Sequence, residues 1–265
     1  MATSVQPPVT LEGWYALHQV FAIDRRALRL LPPEARRDAA LAAADVLERL
    51  AAPADGGWSA VARLVGSLGD ALVMHFRPTL DAVSDAREAV ARLALFECLQ
   101  PVFALASVTE LGLYHATAHA ADRADDADAL ERRVRAERES PHAARRLYPA
   151  PPAGEPWVSF YPTSKRRDAG QNWYVLSLDE RSALMQRHGA VGRRHAERIR
   201  QVVTGAIGLD AWEWGVTLFA EDPLALKQVV TDMRYDETSA RYATFGDFYL
   251  GRVVDPRRWA LALAE

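Results

Sequence analysis

The chain has 265 residues, of which 49% are hydrophobic and 25% charged, with a formal net charge of −3. These values exclude a disordered or fibrous protein and give no electrostatic basis for binding nucleic acid or an anionic membrane surface. Domains commonly run to roughly 100–150 residues, so two packed halves are expected.

The single cysteine, Cys98, excludes an intrachain disulfide and a cysteine-rich metal site. Its apolar setting, LALFECL, reads as a small buried residue. No apolar run reaches the roughly 18–20 residues of a membrane-spanning helix. Met1 to Pro8 is polar and Pro-rich, without the apolar core of a secretory signal. A cytoplasmic protein is expected.

Glu12 to Asp24, with the run GWYALHQVFAID, is rich in aromatic and β-branched residues and reads as a strand. Pro32-Pro33-Glu34 opens an Ala/Leu/Arg helix to about Leu50, and Asp55-Gly56-Gly57 marks a turn. Gly69 to Arg77 reads as a strand, Asp81 to Leu99 as a helix, and Val102 to Thr117 as a strand or hairpin. Ala120 to Pro156, charged early and Pro-rich late, reads as a connector.

The order then repeats. Asn172 to Leu178 (NWYVLSL) reads as a strand, and Asp179 to about Val203 as a helix whose start carries Ser177 and Asp179-Glu180. Asp210 to Ala220 alternates like a strand. Asp222-Pro223 caps a helix through Met233, and Phe245 to Val254 closes as a strand. Strands split by helices in this order predict an α+β fold of two ferredoxin-like repeats whose sheets pair into a barrel-like core. The expected division is 1–119, a connector at 120–156, and 157–265.

The sequence contains no P-loop, no GxGxxG after a strand, no HExxH and no GxSxG, so nucleotide-binding and hydrolase readings lack support. His115 and His119 have i,i+4 spacing but follow a β-like segment, which weakens them as a metal pair. His188 and His195 are seven apart on one predicted helix and would share a face. The segment FYPTSKRR, Phe160 to Arg167, sets a phenol beside a proline turn, a hydroxyl pair and three cations. It reads either as a strand end with a solvated basic loop or as a clamp for carboxylates beside an oxidisable tyrosine.

From RLYP (146–149) through YPTSKRR (161–167), NWYVLSLDERSALMQRHGAVGR (172–193), QVVTGAIGLDAWEWGVTLFAEDPL (201–224) and MRYDETSARYATFG (233–246), the chain resembles the chlorite-dismutase-like superfamily, in its coproheme decarboxylase branch. The match is dense in the C-terminal half. In the N-terminal half it rests on element order and the opening GWYALHQVF.

The resemblance implies an iron-porphyrin site in the C-terminal half of a ring of five chains. It implies a reaction in which hydrogen peroxide drives removal of two propionates from Fe-coproporphyrin III (coproheme), leaving vinyl groups and haem b. His188 matches the axial iron ligand. Tyr161 matches the tyrosine that forms a radical next to the reacting propionate, and Lys165 a lysine near that propionate. Arg146, Ser164 and Ser239 match propionate-binding positions, and Pro162, Thr163, Trp173 and Arg234 are expected around the porphyrin. The family's pathway implies a ferrochelatase as the transient donor of coproheme.

Gln201 matches the distal position, where chlorite dismutases carry an arginine. A neutral amide supplies no cation to hold chlorite, so dismutation is disfavoured. Two departures stand out. Thr163 occupies the family's usual methionine position, and the spacing from Arg146 to Tyr161 is one residue longer. The rival from another class is a non-catalytic haem-binding or haem-sensing protein, which would need His188 but neither Tyr161 nor Lys165.

Overall fold

The computed structural model describes residues 5–121 and 127–265. Residues 1–4 of the N-terminal segment and 122–126 of the expected connector lie outside the described residues.

Among the described residues nine strands form one antiparallel sheet: β1 (Thr10–Ile23), β2 (Trp58–Leu64), β3 (Ala71–Arg77), β4 (Leu99–Gly112), β5 (Trp157–Lys165), β6 (Arg200–Gly205), β7 (Trp214–Ala220), β8 (Ala243–Phe245) and β9 (Tyr249–Val254). The strand order is β7-β6-β4-β1-β3-β2-β9-β5-β8, and β7 also pairs with β5. That pairing closes eight strands into a barrel, with β8 extending from β5. The N-terminal strands run β4-β1-β3-β2 and the C-terminal ones β6-β7-β5-β9, the same ferredoxin-like order twice. The seams are β2–β9 and β4–β6. The expected barrel-like α+β core is therefore present.

Strand alternation separates two cores. Val20, Trp58, Leu72, Phe76, Leu105 and Phe160 belong to the cluster that fills the barrel. The other face is covered by helices. Over the first repeat lie α2 (Pro33–Ala51), α3 (Leu80–Ala91) and α10 (Pro256–Ala262), and α2 sets Ala39, Ala43, Ala44 and Leu47 against Val61 and Val73. Over the second lie α7 (Leu178–Arg193), α8 (Pro223–Tyr235) and α9 (Glu237–Tyr242). The Asp55–Gly57 turn forms as expected. Gly57 has φ +83°, and a β-carbon there would come within 2.0 Å of the Phe76 carbonyl.

Several elements depart from expectation. Asn172–Leu178 is not a strand. Asn172 accepts the Tyr174 N–H, a single 3-10 turn follows, and Ser177 with Glu180 forms a capping box that starts α7. The predicted long helix ends at Arg193, and Arg200–Gly205 is strand β6, where Val202 and Thr204 are buried in alternation. The helix after β3 stops at Ala91 and gives way to a 3-10 segment, Ala94–Cys98.

β4 ends at Gly112, and Tyr114–Ala121 is helix α4. The expected connector carries two helices, α5 (Ala127–Arg138) and α6 (Pro141–Leu147), the second capped by Ser140. β2 lies outside the expected strands, and of β5 only a strand end at Phe160 was among the expectations. β5 contains Pro162, which argues against a central strand. Here β5 changes partner at that residue, pairing with β9 through Phe160 and with β8 from Thr163, so the missing N–H falls where no ladder bond is made.

Candidate functional site

The register of the C-terminal strands sets out one face beneath α7, α8 and α9. Tyr161 lies opposite Val216 on β7, and Val216 opposite Val203 on β6. Two residues along, Ser159, Leu218 and Gln201 form the next row on that face. Tyr161 and Gln201 thus share a face, about 12 Å apart by strand spacing and rise.

Tyr161 is 7% exposed and packs with Ile199, Val216 and Val229. Its ring stacks on Phe248 with centroids 4.3 Å apart and meets Phe245 at 5.9 Å. Burial pushes the phenol well above its ordinary pKa, against the opposing influence of the Arg234 guanidinium. Arg234, in the last turn of α8, lies 4.2 Å from the Phe245 ring centroid.

Further along β5, Lys165 sets its ammonium 4.1 Å from the ring centroid of Trp173. Trp173 is 1% exposed and packs with Tyr114 and Tyr242. Burial lowers the Lys165 pKa to about 8, although Asp236 and Glu213 raise it. Glu213 accepts the Lys165 N–H at 2.6 Å and pairs with Arg167, while Ser164 Oγ accepts the Glu213 N–H at 3.2 Å. The Thr163 hydroxyl donates to the Thr244 carbonyl, and the Pro162 carbonyl accepts the Gly246 N–H.

His188 projects from the middle of α7. Its Nδ1 lies 2.8 Å from Asp236 Oδ2, and Nε2 has no partner among the described residues. Asp236 caps α9 and accepts the Ser239 N–H at 3.2 Å. Burial alone would raise this carboxyl. The His188 hydrogen bond and charge, with the Ser239 and Thr238 N–H groups, outweigh burial and hold it below the ordinary carboxylate range. Arg146, on α6, is a half-buried cation with no hydrogen-bond or ionic partner among the described residues, and burial lowers its pKa.

A cavity of about 620 Å³ is lined by Arg166, Arg234, Ser239, Thr244, Phe245 and Phe248, among others. Tyr161, Lys165, His188 and Gln201 are not among its lining residues, and Phe248 covers Tyr161. Three observations fit an iron porphyrin bearing carboxylates: an imidazole with one nitrogen tethered and the other free, an unpartnered guanidinium, and a half-buried ammonium with no direct carboxylate partner. Among the described residues no three His, Cys, Asp or Glu side chains cluster to hold a bare metal ion.

His195 does not share a helix with His188. It lies beyond the end of α7 and pairs with Asp232 at 2.9 Å. His115 and His119, expected near a strand, sit one turn apart on α4, with ring centroids 4.4 Å apart. Asp236, Glu213 and Phe248 were not singled out from the sequence. For Asp236 the signal existed: Asp-Glu-Thr-Ser directly after a helix is a cap, and an axial histidine needs an acceptor for its second nitrogen.

The chlorite dismutase family model matches residues 36–254. The coproheme decarboxylases of Staphylococcus carnosus and Staphylococcus saprophyticus are each 39% identical over 251 residues, covering 94% of this chain and 95% of the relative. A haem-binding protein from Thermus thermophilus superposes with a TM-score of 0.84 at 36% identity, covering 98% of both chains. A mutant chlorite dismutase from Candidatus Nitrospira defluvii shares the fold at a TM-score of 0.73 and 17% identity, covering 96% of this chain and 97% of that one.

Proposed function

This chain belongs to the chlorite dismutase family, and from that premise we propose that it is a coproheme decarboxylase, converting two propionates of Fe-coproporphyrin III to vinyl groups and releasing haem b. The observation that carries porphyrin binding is the His188–Asp236 pair, and buried Tyr161 with Lys165 further along the same strand carries the decarboxylation. Nδ1 is fixed by a buried carboxylate, so Nε2 is the atom that would hold the substrate's iron, and the same bond makes the imidazole a stronger donor.

The substrate's own iron, oxidised by hydrogen peroxide, supplies the redox chemistry. For each loss, a propionate, one peroxide and one proton yield a vinyl group, carbon dioxide and two waters.

Tyr161 is the reacting side chain. Its raised pKa keeps the phenol protonated near neutral pH, so losing an electron also means losing the proton. The resulting neutral oxyl takes a hydrogen atom from the propionate, whose carboxylate then leaves as carbon dioxide after a second electron passes to the oxidised substrate. The aromatic cover of Phe248 and Phe245 keeps water from quenching the radical. Lys165, with a pKa of about 8, is neutral in roughly a tenth of molecules at pH 7. It therefore both steadies a carboxylate and exchanges a proton.

Arg146, with no partner of its own, binds a non-reacting propionate, with Ser164 and Ser239 as hydroxyl donors. Pro162, Thr163, Trp173 and Arg234 shape the porphyrin's edge. Gln201 lends polarity over the iron without a charge. Active rings contain five chains, receive coproheme from a ferrochelatase and work in the cytoplasm; among the described residues no helix is long and apolar enough to cross a membrane.

The test is carbon dioxide released per coproheme on adding peroxide to the reconstituted protein. Two per porphyrin supports the reading. Porphyrin bleaching without carbon dioxide refutes it in favour of a haem-binding or haem-sensing protein.

A further inference from the structure

At the β2–β9 seam the two helical layers leave a gap. Arg63 on β2 is directly opposite Arg252 on β9, both on the outward face and both exposed. Side chains facing each other across an antiparallel pair sit about 5 Å apart at Cβ, and like charges there repel. Neither guanidinium has a hydrogen-bond or ionic partner among the described residues, and neither does that of Arg258 on α10.

These three cations and Arg25, from α1 (Arg25–Leu30), line a cavity of about 590 Å³ whose floor is apolar and includes Val254, Trp259 and Leu263. Its two acids are already engaged. Asp70 accepts the Ile23 N–H at 2.7 Å and pairs with Arg25 at 2.8 Å, and the Asp255 side chain accepts the Arg258 N–H at 2.7 Å as the cap of α10. Three guanidinium groups, those of Arg63, Arg252 and Arg258, are therefore left without a partner among the described residues, beside the Arg25–Asp70 pair and the Asp255 cap. The neighbouring arginine of α10, Arg257, is satisfied elsewhere by Asp45 and Glu48.

We propose that this seam is a second ligand site, separate from the porphyrin face, which binds a small organic polyanion with an aromatic or apolar body and two or more carboxylates. The chemistry follows from the lining. Guanidinium forks suit carboxylates by paired hydrogen bonds, the apolar floor with Trp259 suits a flat ring, and a bridging anion turns the Arg63–Arg252 repulsion into a clamp. A monoanion engages only one fork and leaves the others opposed.

The probe is benzene-1,3,5-tricarboxylate, titrated calorimetrically at low ionic strength into the full chain, both free and with haem b bound so that the carboxylate donors of the porphyrin site are occupied. One site is expected in both forms. Benzoate binds at least about tenfold more weakly, as expected when charged hydrogen bonds are lost. The double variant Arg63→Gln/Arg252→Gln loses at least about tenfold in affinity, whereas Arg257→Gln is unchanged. If the double variant does not fold, Arg258→Gln carries the same expectation. Melting temperature gives an independent reading: the tricarboxylate raises it for the wild-type protein and not for the variants. No binding to the wild-type protein, equal binding by benzoate, or unchanged affinity in the seam variants overturns the proposal.

Discussion

Replacing Asp236 separates its structural role from its role toward His188. The carboxylate caps α9 through the Ser239 N–H at 3.2 Å and holds His188 Nδ1 at 2.8 Å. Asp236→Ala loses the cap, worth about 1 kcal/mol, and a charged hydrogen bond worth roughly 1.5–3 kcal/mol. Asp236→Asn keeps a good capping residue and an oxygen for the Nδ1–H, and loses the charge. Both changes remove a negative group that raises the Lys165 pKa, so that pKa falls further. The two variants should therefore differ in stability, with the alanine melting lower than the asparagine. Both should bind ferric coproheme about 10–100-fold more weakly, the range seen when partners of metal-bound histidines are removed. Denaturant unfolding and an absorbance titration with ferric coproheme read the two effects. Wild-type affinity and an unchanged spectrum in Asp236→Asn would mean that the carboxylate charge beside His188 is irrelevant to the iron.

Tyr161→Phe keeps the stacking on Phe248 and removes only the hydroxyl; it should bind coproheme normally and release almost no carbon dioxide, measured by gas capture after peroxide addition. Lys165→Ala should slow turnover and accumulate a porphyrin with three propionates, visible by chromatography. His18 and His75 are fully buried, and burial lowers both to a pKa of about 3, with nearby Arg77 adding to the effect on His75. Because the folded pKa values lie below the unfolded 6.5, their stability contribution is complete above that value and is lost as pH falls toward the folded one. From about pH 7 to 4.5 each histidine should cost roughly 2–3 kcal/mol, checked by urea unfolding at the two pH values; equal stability at both would contradict this.

The parts of the fold that were legible follow a single local rule. β1 has aromatic and β-branched residues throughout, and α2 and α8 open on proline at the first turn. Where tertiary contacts overrode local preference, reading failed. NWYVLSL has strand-like composition, yet Trp173 is needed as a plug between Tyr114 and Tyr242, and Ser177 as a cap. β5 was hidden by Pro162, which is tolerated only because its neighbour strand changes there. β2, with the sequence WSAVARL, has weak intrinsic strand preference and is held by burial on both faces.

At the proposed site, Tyr161, Lys165 and His188 were singled out through resemblance across long segments rather than through spacing. The face shared by Tyr161 and Gln201 required register, and the contact between His188 and Asp236 joins residues 48 apart in sequence. The seam arginines, Arg63 and Arg252, come from opposite ends of the chain, and only the closure of the barrel sets them opposite each other. No periodicity in either segment could have paired them.

Whether this chain strips carboxyl groups from coproheme is read from the porphyrin itself, by mixing the purified protein with ferric coproheme, adding hydrogen peroxide stepwise, and following the porphyrin by mass spectrometry. A coproheme decarboxylase gives two successive losses of a carboxyl group, ending at haem b. Tight binding with an unchanged porphyrin mass, or bleaching alone, would contradict that activity.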